Sequence, residues 1–108
     1  MSHRERQTPL ERQRVMSIAR EYRRHGYDVT VYPGADDLPP ALAKCPFALI
    51  AREGGEAERV IAVEVRTRDR LTLNGSEDLR RMAEKVNQFP GWDFELVVTN
   101  PRSKKVVY

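Results

Sequence analysis

One carboxylate interrupts an apolar run. Val60-Ile61-Ala62-Val63-Glu64-Val65 leads into Arg66-Thr67-Arg68. An acidic side chain in a buried strand is costly unless it is paired or metal-bound. Glu64 therefore either binds a cation, meets an arginine, or lies on the open face of an edge strand. Arg66 carries a guanidinium that stays protonated and cannot act as a base, although it can stabilise negative charge on a phosphorane-like transition state. Glu11 lies near the apolar stripe of Val15, Ile18 and Tyr22, whereas Glu21 points away from it. As the third residue after Thr8, Glu11 also has a sufficient structural job in a capping box.

Other polar residues carry less. Asp36-Asp37, next to Pro and Gly, reads as turn chemistry. Lys85 reads as a solvated helix lysine by its spacing from Leu79, Met82 and Val86. Trp92 is more often a core or sheet-end aromatic than a base-stacking platform. His3 and His25 lack Ser, Cys or Asp partners at a recognisable spacing, so no catalytic triad is evident, and no Gly-rich phosphate loop is present. Arg4, Arg6, Arg12, Arg14, Arg20, Arg23 and Arg24 crowd the first quarter. Arginine forks suit bidentate phosphate contacts, but such a run is also what a solvated face looks like.

The elements that must position these groups are legible. Thr8-Pro9-Leu10-Glu11 starts a helix, Val15, Ile18, Ala19 and Tyr22 line one face of it, and Gly26 ends it in a left-handed turn. Tyr27 to Tyr32 reads as a first strand, stopped by Pro33-Gly34. Ala35 to Pro46 is a loop with one helical turn around Leu42. Phe47 to Ala51 and Arg59 to Thr67 form a hairpin across Gly54-Gly55. Ser76 caps a second helix with Glu77 and Asp78 in its first turn; Leu79, Met82, Ala83 and Val86 form its stripe, and Pro90-Gly91 terminates it. Phe94 to Val98 is a last strand, and Arg102 to Tyr108 an edge strand or tail. The order is α-β-β-β-α-β. Strand, helix and strand in succession at the end imply a parallel crossover, hence a mixed sheet flanked by helices.

The chain has 108 residues, enough for one core but not two. Its longest apolar runs are too short for a membrane span or a signal-peptide core. A single cysteine, Cys45, excludes an internal disulfide and a multi-cysteine zinc site. These features fit a cytoplasmic protein. The net charge of +3 is no general attraction for nucleic acid, because Glu5, Glu11 and Glu21 interleave with the arginines.

Phe47-Ala48-Leu49-Ile50-Ala51, the glycine-containing turn and Val60 to Arg68 resemble the PD-(D/E)XK nuclease superfamily, in particular its archaeal Holliday-junction-resolvase-like branch. In that family an Asp begins the second strand, Glu-x-Lys sits on the third, and an acid often comes from the first helix. The resemblance implies a restriction-endonuclease-like domain over 1–108, a DNA substrate and Mg²⁺. It assigns Glu64 to the metal-binding Glu and Glu11 to the helix acid, with the Val65 carbonyl as a further ligand. Pro90-Gly91-Trp92 is similar to an element of that branch, and Lys85 would stand in where the lysine has moved to the following helix.

Two positions depart from the pattern. Ala48 stands where the family has Asp and cannot bind a metal; Arg66 stands where it has Lys. Natural loss and a deliberate Asp-to-Ala exchange would leave the same alanine, and the second departure favours natural loss. A Mg²⁺ site with one carboxylate and the Val65 carbonyl would be weak. The resemblance requires Glu64 and Ala48 to converge at one end of the sheet, with Glu11 nearby.

The expected function is thus a nuclease-related domain, catalytically impaired, that acts as a nucleic-acid-binding or assembly module. Arg12, Arg20, Arg23 and Arg24 would meet phosphates, in a homodimer or a larger nucleoprotein assembly. One alternative is an active Mg²⁺-dependent endonuclease using Glu64, Glu11 and a displaced carboxylate, with Arg66 or Lys85 as the electrostatic group. The other is a protein-interaction domain that pairs through a sheet edge or the arginine-rich helix.

Overall fold

The structure, a computed structural model, describes residues 3–54, 58–68 and 75–100. A short helix, α1 (His3–Arg6), precedes the long α2 (Pro9–Arg24). Thr8 starts α2 through a complete capping box: its Oγ1 accepts from Glu11 N at 3.1 Å while Glu11 Oε1 accepts from Thr8 N at 2.9 Å. The other end closes as a Schellman turn. Tyr27 N donates to Tyr22 O and Gly26 N to Arg23 O, both at 3.1 Å, with Gly26 at φ +88°. The Tyr22 and Tyr27 rings stack edge to face at 5.1 Å and supply the apolar contact of that motif.

Strands β1 (Asp28–Val31), β2 (Leu49–Glu53), β3 (Arg59–Thr67) and β4 (Trp92–Thr99) form one mixed sheet in the order β1-β2-β3-β4. The first two pairings are antiparallel, with Thr30 opposite Ile50 and Ile50 opposite Ala62. β3 and β4 run parallel, with Glu64 opposite Leu96. Between these two strands the chain passes through α3 (Gly75–Val86). On one sheet face Val15, Ile18 and Ala19 of α2 bury Leu49, Ala51, Ile61, Val63 and Val65. On the other, Leu79, Met82 and Val86 of α3 join Leu42, Phe47, Ile50, Val60 and Ala62. A strand covered on both faces must be apolar throughout, and every residue from Val60 to Thr67 is buried.

Several boundaries differ from expectation: β1 spans only Asp28–Val31, while β2 runs on to Glu53 and β4 to Thr99. α3 already includes Gly75, so Ser76 lies inside its first turn rather than capping it. β4 begins at Trp92, because Gly91 turns the chain directly onto β3: its φ is +81°, Val60 N donates to Gly91 O at 2.9 Å, and a Cβ there would meet Glu58 O at 2.8 Å. β2 begins at Leu49, although Ala48 continues its ladder by donating to Val63 O at 2.8 Å. The segment Arg102 to Tyr108 lies outside the described residues.

Candidate functional site

The residues singled out in the sequence meet where β2 leaves the loop after Pro46. Ala48 is fully buried; its N–H bonds Val63 and its carbonyl accepts from Tyr32 N at 2.7 Å, which fixes it alongside β3 next to Glu64. Glu64 is likewise fully buried. Its Oε2 accepts from Arg66 Nε at 2.7 Å, its Oε1 accepts from Val65 N at 3.0 Å, and His3 Nε2 lies 2.9 Å from that same Oε1. Both oxygens of the carboxylate are thus engaged by the protein.

The i, i+2 spacing puts Glu64 and Arg66 on one side of β3, and this pair answers the cost of burying the acid. Arg66 is 6% exposed and extends its Nη2 to Asp78 Oδ2 of α3 at 3.3 Å. Burial works against the guanidinium charge, but the charge and hydrogen bond of Glu64, with Asp78 behind them, outweigh it and raise the Arg66 pKa. The cation is permanent. It is spent on the carboxylate beside it.

Glu11 sits nearby and is fully buried, but its carboxylate has structural work at both ends. While Oε1 closes the capping box, Oε2 accepts from Thr67 N at 2.6 Å and ties α2 to the end of β3. The Val65 carbonyl accepts from Gln7 Nε2 at 2.8 Å, and the Tyr32 hydroxyl donates to the other atom of that amide, Gln7 Oε1. Tyr32 holds a left-handed φ of +49° to reach it.

The Mg²⁺ that the resemblance implies does not fit this donor set. Mg²⁺ holds its site through carboxylates and waters in near-octahedral array. Here one carboxylate is neutralised by an arginine, one is divided between two backbone amides, the carbonyl is capped by an amide, and position 48 offers a methyl group. Among the described residues no three His, Cys, Asp or Glu side chains are grouped to share a cation.

His3, Gln7, Tyr32 and Asp78 escaped the sequence reading. His3 and Gln7 lie 61 and 58 residues from their partners, so no local spacing announces them. Lys85 is exposed, and Asp37 Oδ2 accepts from Gly34 N at 2.9 Å, a turn contact. Trp92 packs near Phe89 on the α3 side, with the Arg52 guanidinium 5.7 Å above its ring. Arg20, Arg23 and Arg24 are exposed and Arg12 is half-buried; at 3.6 residues per turn the four span about 120° of arc on α2. No helix among the described residues is long and apolar enough to cross a membrane.

No curated protein and no solved structure matches the chain. A family model does, over residues 1–108: REase_AHJR-like. The order of helices and strands and the mixed sheet agree with it. By that match the chain belongs to the archaeal Holliday junction resolvase-like restriction endonuclease family.

Proposed function

We propose that the chain is a single nuclease-related domain over 1–108 whose phosphodiesterase site is impaired, and that it serves in the cytoplasm as a nucleic-acid-binding module. The observation that carries this reading is the closure of the Glu64 carboxylate by Arg66, His3 and Val65 N beside an alanine where the family has its second carboxylate. Two-carboxylate metal chemistry needs free donors, and these are internally satisfied. Binding rests on family membership and on the arginine arc of α2.

Nicking of supercoiled plasmid with Mg²⁺ or Mn²⁺ tests the impairment. The chain should cleave poorly or not at all, and the double change Ala48→Asp with Arg66→Lys should bring measurable metal-dependent nicking. Robust cleavage by the unaltered chain, abolished by Glu64→Ala, would instead establish an active endonuclease. Salt titration of a fluorescent duplex tests binding. Affinity should fall at a log-log slope of about −0.9 per phosphate contacted, and Arg20→Ala or Arg24→Ala should lower that slope by about one unit. No binding even at low ionic strength, with assembly size altered by charge reversal on α2, would favour a protein-interaction or homodimerising module.

A further inference from the structure

Beside the closed carboxylate lies an open cavity of about 490 Å³. Arg4 and Arg6 of α1, Lys44, His3, Tyr32 and Cys45 are among the residues that line it. No carboxylate is among its described lining residues. Arg4 and Lys44 are exposed, and neither side chain joins a hydrogen bond or ion pair between described residues. Two segments distant in sequence therefore bring cations to one concavity, which is more than a solvated helix face does. Like charges gathered around a low-dielectric hollow repel one another and focus a positive field into it. Such an arrangement is relieved by an anion.

The walls narrow the choice of anion. Tyr32 is half-buried, its ring meets His3 edge to face at 6.0 Å, and Pro46 and Phe47 continue the lining to within one residue of Ala48. A phosphate on the cations thus has an aromatic and apolar wall for an attached sugar and base. The hollow suits one nucleotide and is too small for a duplex. We propose that this cavity binds a phosphate group of a nucleic-acid strand, with Arg4, Arg6 and Lys44 on the phosphate and Tyr32 against its nucleoside. The proposal rests on the nucleic-acid reading above and gives it a specific site, away from the α2 arc.

Cys45 is the chain's only cysteine, so its alkylation by neutral iodoacetamide reports occupancy without any need for catalysis. The probes are a short single-stranded oligonucleotide with a 5′-phosphate, the same strand with a 5′-hydroxyl, adenosine monophosphate and inorganic phosphate. At saturation an oligonucleotide should slow alkylation by about tenfold or more. Preference for the 5′-phosphate strand would assign the pocket to a strand end, and equal protection by both strands to an internal phosphate. The exposed-site variants Arg4→Ala and Lys44→Ala, checked by circular dichroism for an unchanged fold, should each weaken protection about tenfold. Protection by no oligonucleotide, protection unaltered in the double variant, or protection by adenosine monophosphate or inorganic phosphate alone would overturn the proposal. Duplex binding measured on the same samples separates the two failures: binding with an unprotected Cys45 sinks only the pocket, and loss of both sinks the wider reading as well.

Discussion

Replacing Arg66 with methionine is the most informative perturbation of the carboxylate network. The variant keeps much of the aliphatic volume but leaves Glu64, fully buried, with only His3 and one backbone amide. Breaking a buried ion pair from one side costs about 3–5 kcal/mol, because the remaining charge stays desolvated. Glu64→Leu should be milder, at about 1–3 kcal/mol, since Arg66 retains Asp78, whose side chain is 53% exposed. The double variant removes both charges, and apolar replacement of such a pair is often close to neutral. The cycle should therefore show a coupling of at least about 2 kcal/mol. A domain of this size loses about 4 °C per kcal/mol, so Arg66→Met should melt about 12–20 °C lower and the double variant far nearer the parent. Thermal unfolding followed by circular dichroism reads all four corners. If the two single losses add to within about 0.5 kcal/mol in the double variant, the pair is not what keeps Glu64 buried, and the account of the closed site fails.

Glu11→Ala should cost about 2–4 kcal/mol, combining loss of the cap with an orphaned Thr67 N–H; a denaturant midpoint shift below that of an ordinary exposed cap would show that the contact to β3 is idle. Gly91→Ala places a Cβ 2.8 Å from Glu58 O at a left-handed residue, so it should destabilise by more than about 1 kcal/mol, and a neutral melt would refute the geometry of the turn from α3 into β4. An alkaline absorbance titration should find three of the four tyrosines ionising above the usual range near pH 10: Tyr22 through burial and its bond to Glu95, Tyr27 through its bond to Glu53, and Tyr32 through burial. Because the folded state holds these protons more tightly, their stabilisation is complete below about pH 10 and is lost as pH rises above it; four tyrosines titrating together near 10 would contradict the contacts.

Local signals carried far in this chain, and long-range ones did not. Thr8 and Glu11 announce their capping box because a cap is decided within four residues, and Arg59 to Thr67 announce β3 because both of its faces are apolar. Glu64 and Arg66 were readable as the charged positions of that strand, and pairing with an arginine was one of the readings open to Glu64. Which arginine, and with what help, was not readable. His3 reaches Glu64 and Gln7 reaches Val65 only because α1 docks against the sheet end, and a four-residue helix has no periodicity to betray it. Glu11 shows the same limit: its spacing gave the cap, while its second oxygen, on Thr67 N, depended on how α2 crosses β3. At Ser76 the propensity of serine for caps pointed one residue too far, since Gly75 already has helical backbone.

The union of Glu64 with Arg66 also makes the site hard to undo one residue at a time. Ala48→Asp alone sets a second carboxylate into a fully buried position next to Glu64, while the Arg66 fork beside it already spans Glu64 and Asp78. Arg66→Lys alone gives up that two-sided reach for a point charge and regains no ligand. Each single step away from the present arrangement descends in stability before the other can compensate, so the two positions behave as a ratchet. A chain with Ala48 and Arg66 is thus held in this arrangement by folding itself, whatever the chemistry would favour.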